Sequence, residues 1–246
     1  PSLALGAYEV TPLEAANSYA TFASGGQFAA PVLVTKVVGP DGKELVLPAP
    51  PPARRVMNED EAYLLTSLLS SVVKEGTATR ALSLARPLAG KTGTTNEAKD
   101  AWFIGYSTDL VCAVWVGFDD ALPLGWGESG ATTALPGWIE LMKNAHDKKP
   151  ATDFPRPPSL ISARIDPASG LLARSDQEDG RDELFLEGTV PTEVADGGVD
   201  AAPEIDAGQP VDPEAMQAGV PAAEPAVVPD AEVTGDAGPS PELPPF

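Results

Sequence analysis

Lys91-Thr92-Gly93-Thr94-Thr95 is the stretch on which the reading of this chain turns. An uncharged lead-in from residue 88 precedes it, and two apolar, strand-like runs follow at 101–107 and 110–118. A strand ending in this sequence carries a cation, two hydroxyls and a bare glycine along one exposed edge. Gly93 has no Cβ, so an extended ligand can lie flat on the backbone there. Lys91 and the threonine hydroxyls offer positive charge and hydrogen bonds to an anion. The pattern suits a carboxylate held against a strand.

The flanking elements can be read from spacing. Thr11-Pro12-Leu13-Glu14 opens a helix with a capping box and proline at its first position. Leu13, Ala16, Ala20 and Ala23 share one of its faces, and Gly25-Gly26 stops it. Residues 31–38 form a strand candidate, returning through 45–47 after a Pro-Asp-Gly turn. Asn58, with Glu61 three residues on, starts a second helix whose apolar face is Leu65, Leu68, Leu69, Val72 and Val73; Gly76 ends it. Residues 107–109 are short enough for a hairpin between the two apolar runs. The run at 110–118 is apolar on both faces, which predicts a sheet covered on both sides by helices. Leu135, Trp138, Ile139 and Met142 give a third helix within 133–148. Asp166-Pro167-Ala168-Ser169-Gly170 is a turn in an extended, proline-rich segment.

The ordered set of motifs resembles the class A, bifunctional penicillin-binding proteins. It comprises Gly90 to Thr95, Asp100-Ala101-Trp102-Phe103-Ile104-Gly105-Tyr106, and Val114-Trp115-Val116-Gly117-Phe118-Asp119-Asp120. Val10-Thr11-Pro12-Leu13-Glu14, Ala20-Thr21-Phe22-Ala23 and Glu75-Gly76-Thr77-Ala78 fit the same pattern. Lys-Thr-Gly is one of three motifs that mark penicillin-recognising serine enzymes. The resemblance implies an α+β fold, an antiparallel sheet flanked by helices as in serine β-lactamases, truncated here at its N-terminal side. Residues 1–150 would be the C-terminal portion of a transpeptidase domain, 151–189 an extended post-domain segment, and 190–246 a disordered acidic tail. The implied chemistry is peptidoglycan cross-linking by acyl transfer through a serine. Lys91 would order the proton network and draw the substrate's terminal carboxylate. Thr92 and Thr94 would hydrogen-bond that carboxylate alongside Gly93 and Thr95, and the Thr94 N–H would be an oxyanion donor. Trp126 lies on a loop that the resemblance brings near the mouth of the site. The Ser-x-x-Lys nucleophile motif and the Ser-x-Asn motif would lie upstream, as would a glycosyltransferase domain and a membrane anchor. The expected partners are stem peptides, a lipid-linked precursor and β-lactams, at the outer side of the inner membrane in the cell envelope. A non-catalytic scaffold or binding module keeping the fold is the alternative.

Composition bounds these readings. The 246 residues carry a net charge of -20, and the twelve Asp and Glu between Gly188 and Phe246 face no Lys or Arg there. Such a chain is a poor match for nucleic acid. The segment from about 190 is Pro, Ala, Gly, Asp and Glu, too poor in apolar surface to offset chain entropy. No stretch approaches the roughly 20 apolar residues of a membrane-crossing helix. Pro1 is not an initiator residue, so the chain reads as a piece of a longer protein.

Other residues carry blander readings. Ser71-Val72-Val73-Lys74 also fits Ser-x-x-Lys, but it occupies a helix C-terminus, where the dipole opposes developing negative charge. Cys112 reads as a small core residue. With one histidine and one cysteine, neither a zinc site nor a Ser-His-Asp triad fits, and no cofactor is expected. His146, among lysines, reads as solvated. Asp119-Asp120 reads as a strand-end turn, and Trp102, Trp115 and Trp138 as core.

Overall fold

Thr11 and Asn58 each close a complete capping box, with Glu14 and Glu61 as the reciprocal partners. These caps set the start of α1 (Pro12–Ala23) and α2 (Glu59–Lys74) as the spacing predicts. The structure, a computed structural model, describes residues 8–195. Between the helices lies a two-residue ladder, β1 (Gln27–Phe28) with β2 (Arg54–Arg55). The expected strand pair at 31–47 does not form: a single bridge, Val38 to Glu44, closes the turn at Gly42. Leu33 and Val46 stand almost wholly in solvent, because no sheet or helix among the described residues covers this arm.

After α2, a 3-10 turn at Thr79–Leu84 leads into three antiparallel strands, β3 (Ala89–Thr94), β4 (Asp100–Tyr106) and β5 (Val111–Gly117), in that spatial order. The alternation of β4 separates two cores. Phe103 points to one face, where its ring packs edge-on to Trp138 at 4.8 Å. That core also holds Leu88, Ala101, Cys112, Leu135 and Met142, the helical residues coming from α3 (Leu135–Ala145). Tyr106 points to the other face, among Leu69, Ala89, Tyr19 and Phe22. The sheet is thus covered on both sides, as its doubly apolar strand requires. Gly90 and Gly105 pair across β3 and β4. A Cβ on Gly90 would lie 2.8 Å from Phe103 Cζ, and one on Gly105 2.9 Å from Trp138 Cζ2. The two glycines make the space that the Phe103–Trp138 pair fills.

The helix faces differ from the simple periodic reading. In α1 the inward residues are Ala15, Tyr19 and Phe22, and Leu13 is exposed. Alanines are neutral between faces, so the two aromatics set the phase. In α2, Leu68 is exposed while Thr66 and Ser70 are buried beside Leu69 and Val73. Thr66 earns its place by hydrogen-bonding Ala62 O at 2.8 Å and the Tyr106 hydroxyl at 2.9 Å. Trp138 is core, but Trp102 is half-buried and Trp115 more exposed still. Their rings meet at 6.3 Å on the β4–β5 surface.

Beyond α3, Phe154 seats its ring 5.5 Å from that of Tyr106. A second ladder follows, β6 (Ile161–Ile165) with β7 (Arg181–Phe185). Ser159 reaches Asp60, and Arg181 pairs with Glu75 at 3.2 Å, so the segment is fastened along α2. Residues 190–195, at the head of the expected tail, instead return to this segment. Leu172 N donates to Glu193 O and Ala195 N to Leu172 O, both at 2.9 Å, and Ala195 is buried. The remainder of that tail lies outside the described residues. No helix among those described is long and apolar enough to cross a membrane.

Candidate active site

β3 is an edge strand: among the described residues only β4 pairs with it. Burial falls along its length, from buried Ala89 and Gly90 to exposed Lys91 and Thr94. Thr95 N donates to Asp100 O at 3.1 Å. The alternation of an antiparallel ladder then turns the N–H and C=O of Thr92 and Thr94 away from β4, toward the open edge. Lys91 Nζ reaches that edge too, donating to Thr92 O at 2.9 Å. Lys91 has no ion pair among the described residues.

Each hydroxyl on β3 has an individual partner. Thr92 Oγ1 lies 2.9 Å from Thr77 Oγ1. Thr94 Oγ1 accepts from Gly130 N at 3.0 Å. Thr95 differs: its hydroxyl accepts from Asp100 N at 2.8 Å and donates to Asp100 Oδ2 at 3.2 Å. Asp100 Oδ1 in turn accepts from Trp115 Nε1 at 2.8 Å. Thr95 therefore ties down the turn after β3 rather than offering a hydrogen to a ligand. Gly93 faces Trp102, whose Cβ lies 3.2 Å from where a Gly93 Cβ would stand.

The loop after β5 runs back past this end of the strand. Leu124 N donates to Ala98 O at 2.9 Å, and Asp119-Asp120 form a turn closed from Ala121 N to Phe118 O. Trp126, on the same loop, is fully exposed, and its ring pairs with no other aromatic among the described residues. The loop ends in a π-helical turn at Gly130–Ala134, capped by Ser129 with Thr132. Gly130 presses directly on the sheet: a Cβ there would lie 2.3 Å from Trp102 O and 2.7 Å from Gly93 O.

Thr77, Gly130 and Asp100 are contacts that spacing does not reveal. The first two lie 15 and 36 residues from their β3 partners. Ser71 sits in the last turn of α2, half-buried, its hydroxyl donating back to Ser67 O. His146 corrects the solvated reading. It is buried, with Nδ1 2.8 Å from Met142 O and Nε2 2.8 Å from Ser107 Oγ. Cys112 is buried, and burial pushes its thiol above the ordinary range.

Residues 2–134 match the family model of the penicillin binding protein transpeptidase domain. This chain belongs to that family. Residues 156–198, which include the β6–β7 ladder, match the penicillin-binding protein 1A C-terminal domain. Penicillin-binding protein 1A of Pseudomonas aeruginosa is 36% identical over 265 residues, covering 86% of this chain and 32% of the relative. The Aquifex aeolicus protein of the same name is 42% identical over 190 residues, covering 77% and 26%. The chain thus spans about a third or less of the length of these relatives. The crystal structure of penicillin-binding protein 1A from Haemophilus influenzae superposes with a TM-score of 0.72 at 35% identity, over 79% of this chain and 34% of that one. The penicillin-binding protein PonA1 from Mycobacterium tuberculosis gives 0.59 at 29%, over 63% and 43%. The α+β architecture with its antiparallel sheet is therefore that of a penicillin-binding transpeptidase domain.

Proposed function

We propose that the protein carrying this chain is a D,D-transpeptidase that cross-links peptidoglycan, and that β3 is its substrate strand. The observation that carries this is the outward-turned edge of β3, where the Thr94 N–H points away from β4, Lys91 and Thr94 are exposed and Thr92 is half-buried beside them. A stem peptide ending in D-alanine lies along that edge. Its terminal carboxylate sits before the two hydroxyls and the Lys91 ammonium. Its scissile carbonyl oxygen meets the Thr94 N–H. A serine supplied upstream attacks that carbonyl, the C–N bond breaks, and D-alanine leaves with the proton on its amine. An amine of a neighbouring stem peptide then takes the acyl group and frees the serine; transfer to water instead gives carboxypeptidase activity. One oxyanion donor contributes roughly 3–4 kcal/mol to such a transition state. β-Lactams present the same carboxylate and acylate the same serine.

The upstream part would hold the Ser-x-x-Lys and Ser-x-Asn motifs, a glycosyltransferase domain acting on lipid-linked precursor, and a membrane anchor. The site would then face the outer side of the inner membrane. Trp126 would form the outer wall of the groove, on the loop tethered to Ala98. Labelling the full-length protein with fluorescent penicillin tests the reading. Wild type should label, and Lys91→Ala should stay folded and not label. An unlabelled wild type leaves the fold standing and overturns the enzyme.

A further inference from the structure

Glu75-Gly76-Thr77-Ala78 has no part in the chemistry above, yet its geometry is tightly specified. The amides of Glu75 and Gly76 both donate to Ser71 O, at 2.9 and 3.1 Å. Ala78 N returns to Val72 O at 3.0 Å, and Ala78 is completely buried. A Cβ on Gly76 would lie 2.8 Å from Val72 Cα. The end of α2 is closed on both sides of Thr77, so that residue has one place to stand. Its own surface is exposed, and its hydroxyl lies against Thr92 Oγ1.

A hydroxyl has one hydrogen and two acceptor lone pairs. At Thr94 the direction is settled, because the Gly130 backbone N–H can only donate. The Thr94 oxygen accepts, and its hydrogen is left for a ligand. At Thr92 either hydroxyl of the pair can donate. An anion in front of Thr92 demands the Thr92 hydrogen, and Thr77 O–H must then donate to Thr92 Oγ1. Both hydroxyls of β3 thereby take the same form: oxygen accepting from off the strand, hydrogen aimed at the ligand. Donation into a hydroxyl oxygen strengthens that hydroxyl as a donor.

We infer that Thr77 is a positioning residue for the carboxylate of the acyl donor, acting through Thr92. This rests on the transpeptidase reading above. It assigns Thr77 a role that neither the Lys-Thr-Gly strand nor the nucleophile supplies.

The test is a double-mutant cycle in the full-length protein, reading the second-order rate constant of acylation by fluorescent penicillin. Thr77→Val should slow acylation about five-fold, the effect of one neutral hydrogen bond. Thr77→Ala should do the same without the added methyl. Thr77→Ser should restore the wild-type rate. In a Thr92→Val background, Thr77→Val should have no further effect, because the hydroxyl through which it acts is gone. The thermal unfolding midpoint should stay at the wild-type value throughout. A labelled wild type with an unchanged Thr77→Val rate overturns this inference alone. So do fully additive losses in the double variant, or a loss that follows the unfolding midpoint. An unlabelled wild type overturns the transpeptidase reading and this inference with it.

Discussion

Ser107 Oγ and His146 Nε2 lie 2.8 Å apart, and both residues are buried. His146 Nδ1 faces the Met142 carbonyl, which can only accept, so Nδ1 carries the proton and Nε2 accepts from Ser107. The Ser107 oxygen accepts in its turn from Asp109 N at 3.1 Å and Leu110 N at 3.3 Å. The β4–β5 turn is thereby fastened to the end of α3. His146→Ala leaves the Ser107 hydroxyl without its acceptor in a buried place. We expect a loss of about 1–3 kcal/mol in denaturant unfolding, with penicillin labelling of the folded fraction unchanged. An unfolding midpoint equal to wild type would show that the contact contributes nothing.

His146 marks where local reading fails. Lys143, Asp147, Lys148 and Lys149 surround it in sequence and point to solvent, whereas its partner stands 39 residues earlier. Interactions that close within a few residues were legible: both capping boxes, the β4–β5 hairpin and the Trp138 face of α3 depend on spacing alone. So was Lys91 to Thr94 as an exposed strand, since a glycine among hydroxyls suits an edge. Thr77 and Gly130 were not, because their pairing with β3 exists only once α2 and the π-helical turn have docked. The arm at 31–47 shows the converse failure. Its apolar residues have strand composition, but a strand needs a neighbour, and the described residues place none there beyond the single Val38–Glu44 bridge.

Tyr106 ties stability to alkaline pH. Thr66 donates to Ala62 O, so the Tyr106 hydroxyl donates to Thr66 Oγ1. Burial pushes the phenol up to about 12. The folded state thus prefers the neutral phenol more than the unfolded chain does, whose tyrosines ionise near ~10. The resulting stability is complete below about pH 10 and is lost as pH rises toward 12. Phenolate absorbance should show Tyr106 ionising together with unfolding. Tyr106→Phe should cost about 1 kcal/mol at neutral pH and flatten the alkaline limb. Equal alkaline limbs in the two proteins would rule this out.

Asp166 does the opposite at low pH. Its carboxylate accepts from Ser169 Oγ, from Gln177 Nε2 at 2.8 Å and from the Ser169 and Ala168 amides. The Ser169 hydroxyl and then the Gln177 amide do most to hold its pKa down at about 2. A depressed carboxylate contributes stability that is present above its unfolded value of ~4 and lost as pH falls toward 2. Limited proteolysis between β6 and β7 should therefore quicken over that window. Asp166→Asn should be cut faster than wild type at neutral pH, and the two should converge near pH 2. A constant ratio across the window would show that the carboxylate charge is not what holds the turn.

Gly130→Ala separates contact from chemistry at the candidate site. The new methyl would need to stand 2.3 Å from Trp102 O and 2.7 Å from Gly93 O, distances no packed Cβ tolerates. Both obstacles are backbone of paired strands, so the π-helical turn must lift instead. Lifting it breaks the Gly130 N–H bond to Thr94 Oγ1 and frees that hydroxyl to rotate. Overpacking of this kind costs about 1–3 kcal/mol of stability. The acylation rate should fall, though by no more than in Thr94→Val, which removes the hydroxyl outright and is expected to lose about ten-fold. Thr94→Ser keeps both the oxygen and its hydrogen and should label at close to the wild-type rate. A Gly130→Ala protein that is destabilised yet acylated at the wild-type rate would mean that the turn supports the sheet without orienting Thr94.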